Sequence, residues 1–432
     1  MGNRTTTCEF KFLLGCFLSI CFLIQACSDD EASEMVPFTY PISLEAQATI
    51  QGNSVTWSEL ETSEFERYWV LRSEDSLSDE LDVTALAGIN IADFGSSDTA
   101  SFFDTNPPRI PVVYYKVLGD LGDRFVVSPT VAVRREVYPI NKGTERLVIE
   151  PVHNTLFAKV FNEGIVTVFD YGNKEDLGSF GASRTNALLS SGVYNGRSEL
   201  YVYERFSPEL AIFPVGGQGI ERYTFDENVA GVTSDGNGRL FVSFEDTDDR
   251  LGVYERDGFQ EIMKFSGNRR SSWDLLAMSP PGTATRLLLI NAVQAEEFNF
   301  NENGDFLSRN TQQVTGASNF NSQIAIHPNG DFMVPFSNGL VMDQTLNSLT
   351  ILAGTGSNSH AFSPEGTELY IFHDEKFKTY DVPSFRLKDA FTLSVNNIIG
   401  LFVDPDDRLL LLVFNTFYNE KWQTVVEIIP LP

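Results

Sequence analysis

One phase of this chain collects the residue types that recognise ligands: Arg184 and Asn186; Asn228; Arg270, Trp273 and Asp274; Phe320 and Asn321; Asn358 and His360; and Asn397. Each group stands just ahead of a short apolar run. Asparagine carries both hydrogen-bond donors and acceptors, and Trp273 and Phe320 offer flat faces. The chemistry open to them is recognition of a sugar or a peptide loop. The same residue types also make ordinary turns between strands. Asn186, Asn228, Asp274, Asn321 and Asn397 would be the donor set for a divalent cation, the one cofactor this pattern admits. Only one of the five is a carboxylate, which neutralises a hard cation poorly.

Other chemistry is sparse. The four histidines are His153, His327, His360 and His373, and no HExxH spacing occurs. His153 and His327 fall at turns, and His373 lies beside Asp374 and Glu375. His360 opens a strand that would face a central channel, where it either lines the channel or packs as a core histidine. Asp246–Asp249, Asn301–Asp305 and Asp404–Asp407 lack the twelve-residue loop of an EF-hand and read as Asx-rich turns. There is no P-loop, dinucleotide fingerprint or G-x-S-x-G elbow. Cysteine stops at Cys27, so the segment after it has no disulfide, zinc-thiolate site or cysteine nucleophile. A net charge of −28 excludes nucleic acid as a partner, because no basic patch is there to displace counterions.

The elements that must position these residues repeat. His327-Pro-Asn-Gly ahead of Phe332-Met-Val reads as the end of one strand, a tight turn and the start of the next. Variants precede Leu156, Leu200, Leu240, Leu287, Leu369 and Leu409, giving gaps of 37 to 47 residues. That is close to the period of a four-stranded propeller blade. Each repeat has a first strand of small apolar residues, a strongly apolar second strand, a third such as Asp249–Glu255 or Lys376–Asp381, and a weaker fourth. The last repeat shows three strands, which predicts that a strand near Glu136–Ile140 supplies the fourth. Ahead of the repeats, residues 38–135 alternate in six or seven short strands, a pattern that predicts a β-sandwich. The polar stretch Asp79–Ser97 is expected to be loop with a short helical turn.

Several stretches resemble known families. Arg4 and Lys11, the apolar run Phe12–Ile24 and Leu23-Ile-Gln-Ala-Cys27 resemble a bacterial lipoprotein signal, with Gln25 where that family usually has a small side chain. This implies a signal peptide over 1–26, a lipid-modified Cys27 and an acidic tether over 27–37. Ser28, Asp29, Asp30 and Glu31 resemble the export signal of Bacteroidota surface lipoproteins, which implies the outer membrane with the protein facing outward; without that signal it faces the periplasm. Trp57, Tyr68–Arg72 and Tyr115–Val117 resemble the core pattern of fibronectin type III domains. Glu368-Leu-Tyr-Ile-Phe with Lys376-Phe-Lys-Thr-Tyr-Asp resembles YVTN and WD40-like propeller repeats, without the WD dipeptide.

The expectation is therefore an all-β chain: an Ig/fibronectin-like β-sandwich over 38–135 and a β-propeller over 136–432, counted as seven blades with six or eight as the alternatives. The leading functional expectation is a non-catalytic binding or scaffold lipoprotein. It would have a protein or glycan partner at the cell envelope and touch the membrane only through Cys27. The alternative is a propeller hydrolase or lyase with a divalent cation in its channel, a design that lactonase-like propellers resemble.

Overall fold

The computed structural model describes residues 42–77, 89–181, 186–204, 206–216, 219–235, 237–245, 249–266, 275–278, 285–290, 294–301, 303–314, 320–336, 338–352, 359–393, 395, 398–404, 406–418 and 421–431. The lipidation and export positions, Cys27 and Ser28, Asp29, Asp30 and Glu31, lie outside them.

The recurring turn shows how a repeat is built. The His327 carbonyl accepts the Gly330 N–H at 2.7 Å, and its ring Nδ1 accepts the Asn329 N–H at 3.2 Å. That leaves the Nε2–H to donate to the Gly366 carbonyl in the next repeat, 3.1 Å away. Gly366 has φ +70°, and a Cβ there would lie 2.1 Å from His327 Nε2, so this contact requires glycine.

Among the described residues, seven antiparallel sheets of four strands follow one another. Sheet 1 is Thr144–Glu150, Thr155–Val160, Ile165–Asp170 and Glu175–Gly181; sheet 2 is Leu188–Tyr194, Arg197–Tyr203, Glu209–Pro214 and Glu221–Thr224. Sheet 3 is Val229–Ser234, Arg239–Phe244, Asp249–Glu255 and Glu261–Ser266; sheet 4 is Leu275–Met278, Arg286–Ile290, Gln294–Phe300 and Phe306–Gln313. Sheet 5 is Phe320–Ile326, Phe332–Phe336, Leu340–Asp343 and Ser348–Ile351; sheet 6 is Ser359–Phe362, Glu368–His373, Lys376–Asp381 and Arg386–Thr392. Sheet 7 is Ile398–Asp404, Leu409–Tyr418 and Lys421–Pro430. Its fourth strand comes from the other end of the repeat region. Val137–Asn141 pairs with Lys421–Pro430 in the register Val426↔Tyr138, as the incomplete last repeat predicted.

The apolar second strands have a reason in the packing. Side chains alternate between the two faces of a strand, and here both faces are buried. Leu287 and Leu289 of sheet 4 join Phe241 and Val253 of sheet 3 in one core, while Leu288 and Ile290 join Met333 and Leu340 of sheet 5 in the next. Such shared cores also link sheets 1 and 2, 2 and 3, 5 and 6, 6 and 7, and finally 7 and 1, where Leu411 and Leu156 belong to one cluster. No sheet buries both faces without its neighbours, so the arrangement is propeller-like.

Two further sheets precede these. One orders β1 (Leu44–Ala48), β2 (Asn53–Trp57) and β5 (Ser101–Asp104). The other orders β4 (Asn90–Phe94), β3 (Arg67–Ser73), β6 (Val112–Asp120) and β7 (Phe125–Val127), with β8 (Val131–Arg134) also pairing β6. They share a core of Trp57, Tyr68, Val70, Val113, Tyr115 and Val117. β4 corrects the expectation of a loop over Asp79–Ser97. It pairs with β3 in the register Tyr68↔Phe94, although Asn90-Ile-Ala-Asp-Phe lacks clean alternation.

A buried charge cluster fastens these sheets to sheet 7. Glu427 in Lys421–Pro430 receives Arg109 Nη1 at 2.6 Å and Arg135 Nη1 at 2.8 Å, all three side chains being 2–3% exposed. Arg109 also donates to the Ile50 carbonyl, and Arg135 to the carbonyls of Thr49 and Gly52 and to Asn53 Oδ1. The β1–β2 turn is thereby tied to the third strand of sheet 7.

Candidate functional site

In a four-stranded antiparallel sheet, the connection into the first strand and the turn between the second and third strands lie at the same end. Those sequence-predicted residues that are described fall at that end. Asn186 lies two residues before Leu188–Tyr194, and Asn228 immediately before Val229–Ser234. Phe320 and Asn321 open Phe320–Ile326, and His360 is the second residue of Ser359–Phe362. Arg184, Arg270, Trp273, Asp274, Asn358 and Asn397 lie outside the described residues.

Within the described set the predicted residues differ in character. Asn186 is exposed. Asn228 is half-buried, and its carbonyl accepts the Glu245 N–H at 2.9 Å, which ties the connection to the turn behind it. His360 is 5% exposed and lies opposite Ile371 in the sheet register, which fits the core-histidine placement of the two expected for it. Burial, with a smaller contribution from the charge of His373, pushes its imidazole down to about 3, which keeps it neutral at physiological pH. Two of the aspartate-rich turns are occupied by their own backbone, and residues 246–248 of the third lie outside the described residues. Asp404 Oδ1 accepts the N–H groups of Asp406 and Asp407, and Oδ2 accepts the Tyr171 hydroxyl of sheet 1 at 2.9 Å. Asn301 Oδ1 accepts the Asp305 N–H. Among the described residues, no group of three or more His, Cys, Asp or Glu is arranged to hold a metal ion.

The structure adds residues that the repeat pattern did not single out. At the same end, three successive sheets carry a large exposed aromatic at or beside the turn between their second and third strands. These are Trp422 in sheet 7, Phe161 in sheet 1 and Phe206 in sheet 2, at 61%, 61% and 72% exposure. Two are held by the backbone. The Phe161 N–H donates to the Gly143 carbonyl at 2.9 Å, in the connection that enters sheet 1. Phe206 adopts φ +63°, an uncommon conformation for an aromatic residue, and its N–H donates to Glu245 Oε2 of sheet 3 at 3.2 Å. The signal was present as aromatics at turns where Gly, Asn or Asp usually sit. It was obscured by the 35 phenylalanines of the chain, most of which read as strand residues.

No protein-family model matches the sequence, and no curated protein matches it. Among solved structures, the hydrazine synthase of Kuenenia stuttgartiensis is similar to this chain with a TM-score of 0.48 and 13% identity, over 67% of this chain and 96% of that one. A likeness at that level carries no argument about activity.

Proposed function

We propose that this chain is a cell-envelope lipoprotein, anchored through Cys27 in the bacterial outer membrane and facing the cell exterior, that acts as a non-catalytic binding module. In this reading the sheets over 38–135 form a fibronectin type III-like sandwich, and residues 136–432 form a closed seven-bladed β-propeller. The sandwich holds the propeller above the membrane, and the propeller presents its strand-entrance face to a protein partner. One observation carries the binding reading: Trp422, Phe161 and Phe206 are exposed at equivalent places on three neighbouring sheets. Aromatic side chains lose little rotamer entropy on binding and dominate the energetics of protein interfaces. Strain held at Phe206 supports it, since such backbone persists where the surroundings impose it.

The test is a photo-cross-linking amino acid placed at Phe206 in intact cells, with Leu177 on the outer strand of sheet 1 as the control position. A discrete adduct at 206, absent at 177 and lost when Phe161 and Trp422 are changed to serine, supports the reading. Equal labelling at both positions, or none at 206, refutes it.

A further inference from the structure

The N-terminal sheets and sheet 6 enclose a cleft of about 710 Å³. One wall carries Gln51, Phe103 and Asn106, and the other Glu375, Phe391 and Thr392. This volume falls within the range of small-molecule sites. The composition is specific. Phe103 is 40% exposed and offers a ring to the cleft, while Phe391 stacks at its back on Phe377. Amides supply donors and acceptors together, hydroxyls do the same, and Glu375 adds a carboxylate that accepts two hydrogen bonds. No described residue lining the cleft is Lys, Arg or His. An anionic ligand would meet the Glu375 carboxylate with no Lys, Arg or His among the described lining residues to neutralise it.

The walls are fixed before any ligand arrives. The Arg109–Glu427–Arg135 cluster holds the β1–β2 turn, and Gln51 Nε2 donates across to Asp389 Oδ2 of sheet 6 at 3.2 Å. Glu375 sits in a two-residue hairpin turn in which both Asp374 and Glu375 have positive φ, +51° and +59°. Glycine and asparagine usually fill such turns. The Glu375 carbonyl accepts the Leu393 N–H at 3.0 Å, which pins this turn to the base of the cleft. Preorganised walls reduce the ordering cost of binding.

We propose that this cleft binds a short neutral oligosaccharide. The apolar face of a sugar ring stacks on Phe103, and the ring hydroxyls pair with Asn106, Thr392 and the Glu375 carboxylate. The proposal does not rest on the aromatic turns, which face a different ligand class and have their own test.

Titration calorimetry on the full chain in detergent micelles tests it, using maltohexaose, cellohexaose, mannohexaose and xylohexaose as neutral probes. A hyaluronan hexasaccharide serves as the anionic probe and an oligolysine peptide as the cationic one. The expected result is saturable binding of at least one neutral hexasaccharide. Phe103→Ala should weaken it at least tenfold, and Glu375→Gln about tenfold. Both side chains are exposed, and an unchanged urea unfolding curve for each variant confirms that the fold is kept. Three outcomes overturn the proposal: no neutral hexasaccharide binds at millimolar concentration, neither variant changes the binding that is seen, or only the hyaluronan or oligolysine probe binds. The Phe206 cross-linking result stands or falls separately, so failure of one assay leaves the other reading decidable.

Discussion

Replacing Glu427 by glutamine should uncouple the N-terminal sheets from sheet 7 and the repeated sheets. Glutamine keeps the volume and one acceptor, but it removes the only negative charge that Arg109 and Arg135 both contact in this cluster. Burial already holds the Arg135 guanidinium below its usual range, and Glu427 opposes that effect while Arg109 adds to it. Removing one partner of a buried pair costs about 3–5 kcal/mol, because a charge is left uncompensated. Here two cations share one anion, so the upper part of that range is expected. Urea unfolding followed by tryptophan fluorescence reads it, since Trp57 and Trp69 report the N-terminal sheets and Trp422 reports sheet 7. With a slope of about 1–3 kcal/mol/M for a domain of this size, the midpoint of the N-terminal transition should fall by more than about 1 M. The control is the triple replacement of Arg109, Arg135 and Glu427 by methionine. Replacing a whole buried ion cluster by apolar groups is often neutral, so the triple variant should be more stable than Glu427→Gln alone. A loss of less than about 1 kcal/mol in Glu427→Gln, or a triple variant no better than the single one, would refute the reasoning.

Other consequences are as direct. Because His360 titrates near 3 in the folded chain and near 6.5 when unfolded, the unfolded state binds the extra proton between those values; its contribution is full above pH 6.5 and is lost as pH falls toward 3. At pH 4.5 this amounts to about 2–3 kcal/mol, and His360→Leu should flatten the dependence of the urea midpoint on pH relative to wild type; equal slopes would count against it. Asp404→Ala removes the acceptor of the Tyr171 hydroxyl and of two turn N–H groups at a fully buried site, and should cost about 3 kcal/mol or more by thermal unfolding, with Asp404→Asn milder. Deleting Trp422–Pro432 removes the strand between Leu409–Tyr418 and Val137–Asn141 and should abolish cooperative folding; a soluble fragment with a sharp melt would sink that expectation. Changing Cys27 to alanine should release the protein from the membrane fraction, and changing Ser28–Glu31 to alanines should protect it from protease added to intact cells; shaving that is equal with and without the tetrapeptide would remove the export role.

The repeats were legible in the sequence because their information is local. Proline, glycine and Asx residues favour tight turns, and a short unbroken run such as Leu287-Leu-Leu-Ile bounded by those turns reads as a strand buried on both faces. The pairing of Val137–Asn141 with the last repeat followed from counting strands, since a repeat one strand short must borrow an edge. The short strand Asn90–Phe94 was not legible, because its partner β3 decides its state and its own alternation is weak. His360 shows the same limit within the site: position placed it at the entrance of a strand, and only packing decided that its side chain turns inward. The aromatic turns and the cleft beside sheet 6 depend on which sheets become neighbours. Arg109 and Glu427, 318 residues apart in the chain, meet because the last strand pairs with Val137–Asn141, directly after the N-terminal sheets. Period and turn chemistry determine each four-stranded unit, whereas the packing of sheet against sheet determines which side chains share a surface, and no local pattern encodes that.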